Sequence, residues 1–301
     1  HGGRRLEGTV RISGSKNAAL PILFSALLTD GVSTFSNVPN LRVIYTTFLL
    51  LSTLVVRVEA DAGAVRIDAG GLNRCDAPYD LVRKMRASVL VLGPLVARMK
   101  RARVSLPGGC AIGARPINLH LKGLAALGAE IALEHGYVTA SAQRLRGAEI
   151  YFDIVTVTGT ENLLMAAVLA EGTTVLRNAA REPEVVALAE VLTRMGADIA
   201  GAGTPEITIR GVSSLRPVAT EIIPDRIETG TFMAAAALTG GCVRITHCDP
   251  QHVGATADKL RQAGVQIAVQ GRILTVQGPE KLTSVDVMTQ PYPGFPTDLQ
   301  A

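Results

Sequence analysis

In the run Pro107-Gly108-Gly109-Cys110-Ala111-Ile112-Gly113-Ala114-Arg115, a thiol sits in a glycine-rich segment with a guanidinium five positions on. Proline and paired glycines sustain neither a helix nor a central strand, so the segment is predicted to be an exposed, mobile loop. Exposure gives a thiol access and a nearby cation favours its thiolate, which together suit Cys110 to nucleophilic or acid–base work. The same run also suits an incidental loop cysteine, and the rest of the chain has to separate the two. Other polar groups recur just before apolar stretches, Lys16-Asn17, Arg86, residues 158–162 and residues 225–228, and Phe295-Pro296-Thr297-Asp298 reads as a fifth such start with only three residues after it. If these stretches are helices, their first turns present unsatisfied N–H groups and about half a positive charge, which is chemistry for phosphates and carboxylates. Thr158, Asp225 and Glu228 equally suit ordinary helix capping. Lys16 and Arg86 are poor caps and point to anion binding.

The elements that must position these groups repeat along the chain. Leu127-Gly128-Ala129-Glu130-Ile131, Met195-Gly196-Ala197-Asp198-Ile199 and Ala263-Gly264-Val265-Gln266-Ile267 are spaced 68 residues apart, from 128 to 196 to 264, with a weaker copy at Leu54-Val55-Val56-Arg57-Val58. Each period reads as an apolar helix, a strand, an amphipathic helix such as 184–195 and two short alternating strands, or βαβαββ once the preceding strand is counted. The first helix of each unit, within 18–28, 87–97, 163–170 and 232–238, is apolar nearly all round and should be buried on every side, with sheets and amphipathic helices outside it. Pro21 and Pro94 are tolerable near a first turn or at a kink.

Composition narrows the function classes. With 301 residues and 48% hydrophobic content the chain can bury a large core and form about two domains. Aromatic content of 4% without Trp argues against base-stacking, and a scattered net charge of +4 suits small anionic substrates at least as well as nucleic acid, so no nucleic-acid partner is expected. The apolar stretch 18–28 is too short to span a bilayer and no signal peptide precedes it, so a soluble, cytoplasmic protein with no membrane partner is expected. Cys75, Cys110, Cys242 and Cys248 form no Cys-x-x-Cys pair and have no His at ligand spacing, so neither a disulfide framework nor a metal site is expected.

Ser13-Gly14-Ser15-Lys16-Asn17-Ala18-Ala19-Leu20-Pro21, Met85-Arg86-Ala87-Ser88, the Cys110 loop with Arg115-Pro116, Pro224-Asp225-Arg226-Ile227-Glu228-Thr229-Gly230 and Phe295-Pro296-Thr297-Asp298-Leu299-Gln300-Ala301 together resemble the UDP-N-acetylglucosamine 1-carboxyvinyltransferase family of enolpyruvyl transferases. The resemblance runs through the whole chain in one register. It implies an α/β fold, the two-domain inside-out α/β barrel of repeated βαβαββ units. Residues 16–223 would form a complete domain of three units carrying the Cys loop, and residues 1–15 plus 224–301 a partial second domain. Six units close the family barrel, so the chain reads as a family member shortened at its C-terminal side.

The resemblance also implies site residues. Lys16 would bind phosphoenolpyruvate, with Asn17 and Arg86 at the sugar nucleotide and phosphate region. Arg115, Pro116, Ile117, Asn118 and Leu119 would close over the uridine diphosphate, and Thr156 and Val157 would meet its phosphates. Cys110 would protonate the methylene carbon of phosphoenolpyruvate, and Asp298 would stand beside the sugar hydroxyl as general base. The implied reaction is an addition–elimination between phosphoenolpyruvate and UDP-N-acetylglucosamine, with no metal or redox cofactor. Two alternatives stay open: a nucleotide-sugar binding fragment without turnover, and a transferase of the 5-enolpyruvylshikimate-3-phosphate synthase type, from which the Pro-Gly-Gly-Cys loop points away. The sequence departs from the family pattern at Asn118 (Asp in many members), at Ile154 (a place for a phosphate-binding Lys), in the acid-free stretch 41–48, and at Val55-Val56, which replace the repeating Gly-Ala. These last changes should put apolar groups on a wet helix face.

Overall fold

The computed structural model describes residues 4–82, 85–105 and 117–300, with Arg86 in its backbone alone. The chain opens with β1 (Glu7–Arg11) and then runs α1 (Lys16–Ser25), β2 (Val32–Ser36), α2 (Arg42–Thr53), β3 (Arg57–Asp61) and β4 (Ala64–Asp68). Next come β5 (Asp76–Ala77), α3 (Tyr79–Val82), a 3₁₀ helix (Arg86–Val91) running into α4 (Leu92–Met99), β6 (Arg101–Ser105), α5 (Asn118–Ala126), β7 (Glu130–Glu134) and β8 (Tyr137–Ser141). The third repeat is β9 (Glu149–Tyr151), α6 (Val157–Ala167), β10 (Thr173–Arg177), α7 (Pro183–Met195), β11 (Asp198–Ala200) and β12 (Glu206–Arg210). The last is β13 (Ala219–Glu221), α8 (Arg226–Leu238), β14 (Cys242–Thr246), α9 (Gly254–Gln262), β15 (Gln266–Gln270) and β16 (Ile273–Gln277), followed by a 3₁₀ turn, Thr297–Leu299.

These strands form four four-stranded sheets of one design: β13-β2-β4-β3, β5-β6-β8-β7, β9-β10-β12-β11 and β1-β14-β16-β15. In each, the first pair is parallel and the other two are antiparallel, as a βαβ crossover followed by a hairpin requires. The sheets remain separate among the described residues, so the barrel of the sequence reading is an arrangement of repeats and not a closed ring of hydrogen-bonded strands. The chain divides into two compact units, one of Lys16–Ile222 and one joining His1–Ser15 to Ile223–Ala301. The first repeat takes its leading strand from β13 and the last takes it from β1, so each unit is completed by a segment far away in sequence.

The 68-residue signature is a helix ending. Gly128, Gly196 and Gly264 have φ of +92°, +111° and +94°, the left-handed conformation that closes a Schellman motif. The following amides reach back five residues, Ala129 to Leu124, Ala197 to Leu192 and Val265 to Leu260, each at 3.0 Å. The weak copy folds the same way: the Val56 amide reaches Leu51 at 3.2 Å, and Val55 adopts φ +66° where its counterparts are glycine.

In the unit of residues 16–222 the apolar helices are buried as expected, every residue of 18–29 included, and α4 and α6 pack on each other. Each fully buried leucine there contributes about 1.5–3 kcal/mol. Three expectations need correction. Helix α6 begins at Val157, six residues before its apolar run, because Thr160, Glu161 and Asn162 are buried polar residues inside the helix. Helix α7 is not an outer amphipathic helix: nine of its positions, Glu184 among them, are buried, and it packs on α1 and α6. Helix α8 is not buried on every side. Its fully buried residues are Thr229, Gly230, Met233, Ala236 and Ala237, a single stripe flanked by the partly buried Phe232, while Leu238 is 75% exposed. Its unit provides, among the described residues, one sheet, the small helix α9 and two 3₁₀ segments, Pro250–Val253 and Thr297–Leu299, to pack against, and these leave part of α8 exposed.

Candidate functional site

Helix starts carry most of the residues that the sequence singles out. Lys16 and Asn17 are the first two residues of α1, with Lys16 exposed, and Arg86 is the first residue of the 3₁₀ helix leading into α4. Ile117, Asn118 and Leu119 stand at the start of α5, and Thr156 and Val157 at the start of α6. A cation at a helix N-terminus opposes the helix dipole, typically by 0.3–1 kcal/mol, so Lys16 is placed against local electrostatics. An anion at the same place reverses the balance. Helix α6 packs on α5, on the 3₁₀ helix and on α1, so these segments belong to one body.

The start of α6 is built in detail. Thr156, not Thr158, is its N-cap, with Oγ1 accepting from the Gly159 amide at 3.2 Å. A Cβ on Gly159 would lie 2.4 Å from Thr156 Cγ2, so glycine is needed for this cap to close. Thr158 Oγ1 instead meets Nε2 of His120, a residue of α5 only 4% exposed, at 3.3 Å. The other imidazole nitrogen, Nδ1, lies 3.0 Å from Nδ2 of the fully buried Asn162. Burial pushes the imidazole down to about 4, so His120 is neutral at physiological pH. Ile154, on the approach to α6, is 71% exposed, an apolar side chain in a place where charge was expected. Nothing in the spacing separates His120 or Asn162 from ordinary helix residues; their role comes from a tertiary contact.

Asp298 belongs to the other unit and lies exposed in the 3₁₀ turn Thr297–Leu299. That turn rests on α8 through Leu299, whose Cδ1 would be 2.6 Å from a Cβ at Gly230, so glycine there makes room for it. Asp225 is the N-cap of α8, accepting from the amides of Ile227 at 2.8 Å and Glu228 at 3.0 Å, as capping predicts. Glu228 turns back to accept from the Ser13 amide at 2.9 Å and from its hydroxyl. Cys110, Arg115 and Pro116 lie outside the described residues. Among the described thiols, burial raises those of Cys75 and Cys248, which makes them less reactive. No group of described residues has the makings of a metal site.

The whole chain, residues 1–301, matches the family described as EPSP synthase (3-phosphoshikimate 1-carboxyvinyltransferase). The chain belongs to this enolpyruvyl transferase family. It is 64% identical over 300 residues to a protein of Desulfosudis oleivorans named UDP-N-acetylglucosamine 1-carboxyvinyltransferase, with all of this chain and 72% of that protein covered. It is 58% identical over 300 residues to the protein of the same name in Geobacter metallireducens, with the same coverage. Among solved structures, the enolpyruvyl transferase NikO from Streptomyces tendae superposes with a TM-score of 0.82 at 28% identity, covering 94% of this chain and 68% of that one. EPSP synthase from Acinetobacter baumannii, at 21% identity and a TM-score of 0.74 over 94% of this chain and 67% of its own, shares the fold.

Proposed function

We propose that the chain transfers the enolpyruvyl group of phosphoenolpyruvate to the 3-hydroxyl of UDP-N-acetylglucosamine, the first committed step of peptidoglycan synthesis, in the cytoplasm and in support of cell-wall growth and division. The observation that carries this reading is identity of up to 64% along the full chain to relatives bearing that transferase name. Lys16, Arg86, Arg115 and the first turns of α5 and α6 hold the two anions. Asp298 takes the proton of the attacking hydroxyl while Cys110 gives one to the methylene carbon; phosphate then leaves as the new methyl group gives up a proton, which forms the enol ether. Fixed donors already in place stabilise the charge as it moves between oxygens.

Phosphate release measured with phosphoenolpyruvate and either UDP-N-acetylglucosamine or shikimate 3-phosphate tests the acceptor. Turnover with the sugar nucleotide alone is expected; turnover with shikimate 3-phosphate alone would reject the proposal. In the same assay Cys110→Asp should keep activity, because a carboxylic acid can replace the thiol as proton donor. Cys110→Ser should lose at least about a hundredfold, the usual value of a general acid.

A further inference from the structure

The contacts around His120 fix the direction of every hydrogen bond between three segments of the unit. At the junction of the 3₁₀ helix with α4, the Val89 carbonyl accepts from the Leu92 amide, and the Gly93 amide goes to Asn162 Oδ1 at 2.7 Å instead. A Cβ at Gly93 would stand 2.6 Å from that oxygen and 2.3 Å from the Asn162 carbonyl, so glycine is required for the approach. An amide can only donate, so the Asn162 atom facing Gly93 is its oxygen and the atom facing His120 is its NH2 group. That group donates to Nδ1 of His120 at 3.0 Å and lies 3.4 Å from the Val89 carbonyl. Nδ1 is therefore unprotonated, the imidazole is the neutral Nε2–H tautomer, and Nε2–H donates to Thr158 Oγ1 at 3.3 Å. Thr158 is the second residue of α6 and is solvent-exposed. Having accepted from His120, its hydroxyl keeps its own proton to give.

We propose that His120 and Asn162 are positioning residues that hold the Thr158 hydroxyl as an outward donor, adding a side-chain contact for the phosphates of the nucleotide sugar to the backbone amides at the start of α6. The inference rests on the proposed function, because it assumes that the sugar nucleotide's anionic end occupies this helix start. The relay ties α5, the 3₁₀ helix to α4, and α6 together, and each of these opens with residues that the proposed function assigns to substrate.

The test uses the full chain. Calorimetric titration with UDP-N-acetylglucosamine should show Kd raised about tenfold by Thr158→Val, the value of one hydrogen bond to a charged group, and restored by Thr158→Ser. The melting temperature of Thr158→Val should fall by a few degrees, since the buried His120 Nε2–H loses its acceptor, and should recover in Thr158→Ser. Long-range proton–nitrogen NMR should find His120 as the Nε2–H tautomer, and Asn162→Asp, which replaces the donor with an acceptor, should convert it to the doubly protonated form at neutral pH. Unchanged sugar-nucleotide affinity in a folded Thr158→Val protein overturns the inference and leaves the proposed function standing. An Nδ1–H tautomer in the unaltered chain also overturns it. Absence of sugar-nucleotide binding by the unaltered chain overturns both.

Discussion

Glu161 sits in the middle of α6, 1% exposed, with Oε1 lacking a hydrogen-bond partner. Its carboxyl is held well above the usual range, first by burial and then by the nearby charges of Glu184 and Glu182. Those two carboxylates stand at the N-terminus of α7. Glu161 therefore holds its proton to higher pH in the fold than in the unfolded chain, which releases it at about 4.5. Above that value the unfolded state binds fewer protons than the native state, so this residue makes stability fall as pH rises. Glu161→Gln should remove that slope and stabilise the protein by on the order of 1 kcal/mol, more at pH 8 than at pH 5, as read from urea unfolding at the two values. An unchanged slope would show that Glu161 ionises freely in the fold. At this scale the sequence offers part of the candidate site. Lys16, Arg86 and Cys110 draw notice because their chemistry is out of place in the sequence around them. Glu161, Asn162 and His120 do not, because a polar residue's burial is set by helices that meet it only in the fold.

Among elements, the helix endings were legible, and so were most helix beginnings, but not that of α6. Glycine at 128, 196 and 264 marks a backbone state with φ near +100° that few other residues enter, so the sequence has to display it. The start of α6 is set by Thr156 and a run of polar residues whose burial depends on neighbouring helices, so the apolar pattern alone places it too late. The repeat whose signature is weakest makes the sharpest prediction. Val55 holds φ +66° with 42% of its surface exposed, a β-branched side chain in the state that its counterparts reserve for glycine. Left-handed backbone costs such a residue about 1–2 kcal/mol, and glycine gives back about 0.5–1 kcal/mol through the freedom of the unfolded chain. Val55→Gly should therefore stabilise the protein by about 0.5–1 kcal/mol in denaturant unfolding. A loss would mean that the side chain's packing near Gly71 outweighs the strain. Exposed Tyr45 and Leu49, at 58% and 57%, extend the same apolar surface along α2, as the acid-free stretch 41–48 predicted.

The two units bury equivalent helices to different depths. In residues 16–222, α1, α4 and α6 are core helices with neighbours around them, and α6 is buried at nine of its eleven positions. In the other unit α8 holds the same place in its repeat, between a leading strand and β14, yet buries only five of thirteen. The repeat explains why both sequences are apolar and cannot say how much of each is covered, since cover is a property of how many repeats gather around a common axis. Amides open to exchange at a cost set by the contacts broken, so the difference is measurable along one chain. Hydrogen exchange read by mass spectrometry should find peptides of 157–167 protected close to the global limit, and peptides of 226–238 exchanging at least about tenfold faster, a difference of about 1.4 kcal/mol in opening free energy. Equal protection would mean that α8 is covered on its second face in solution, and its exposed Leu238 would then be the first place to look for what covers it.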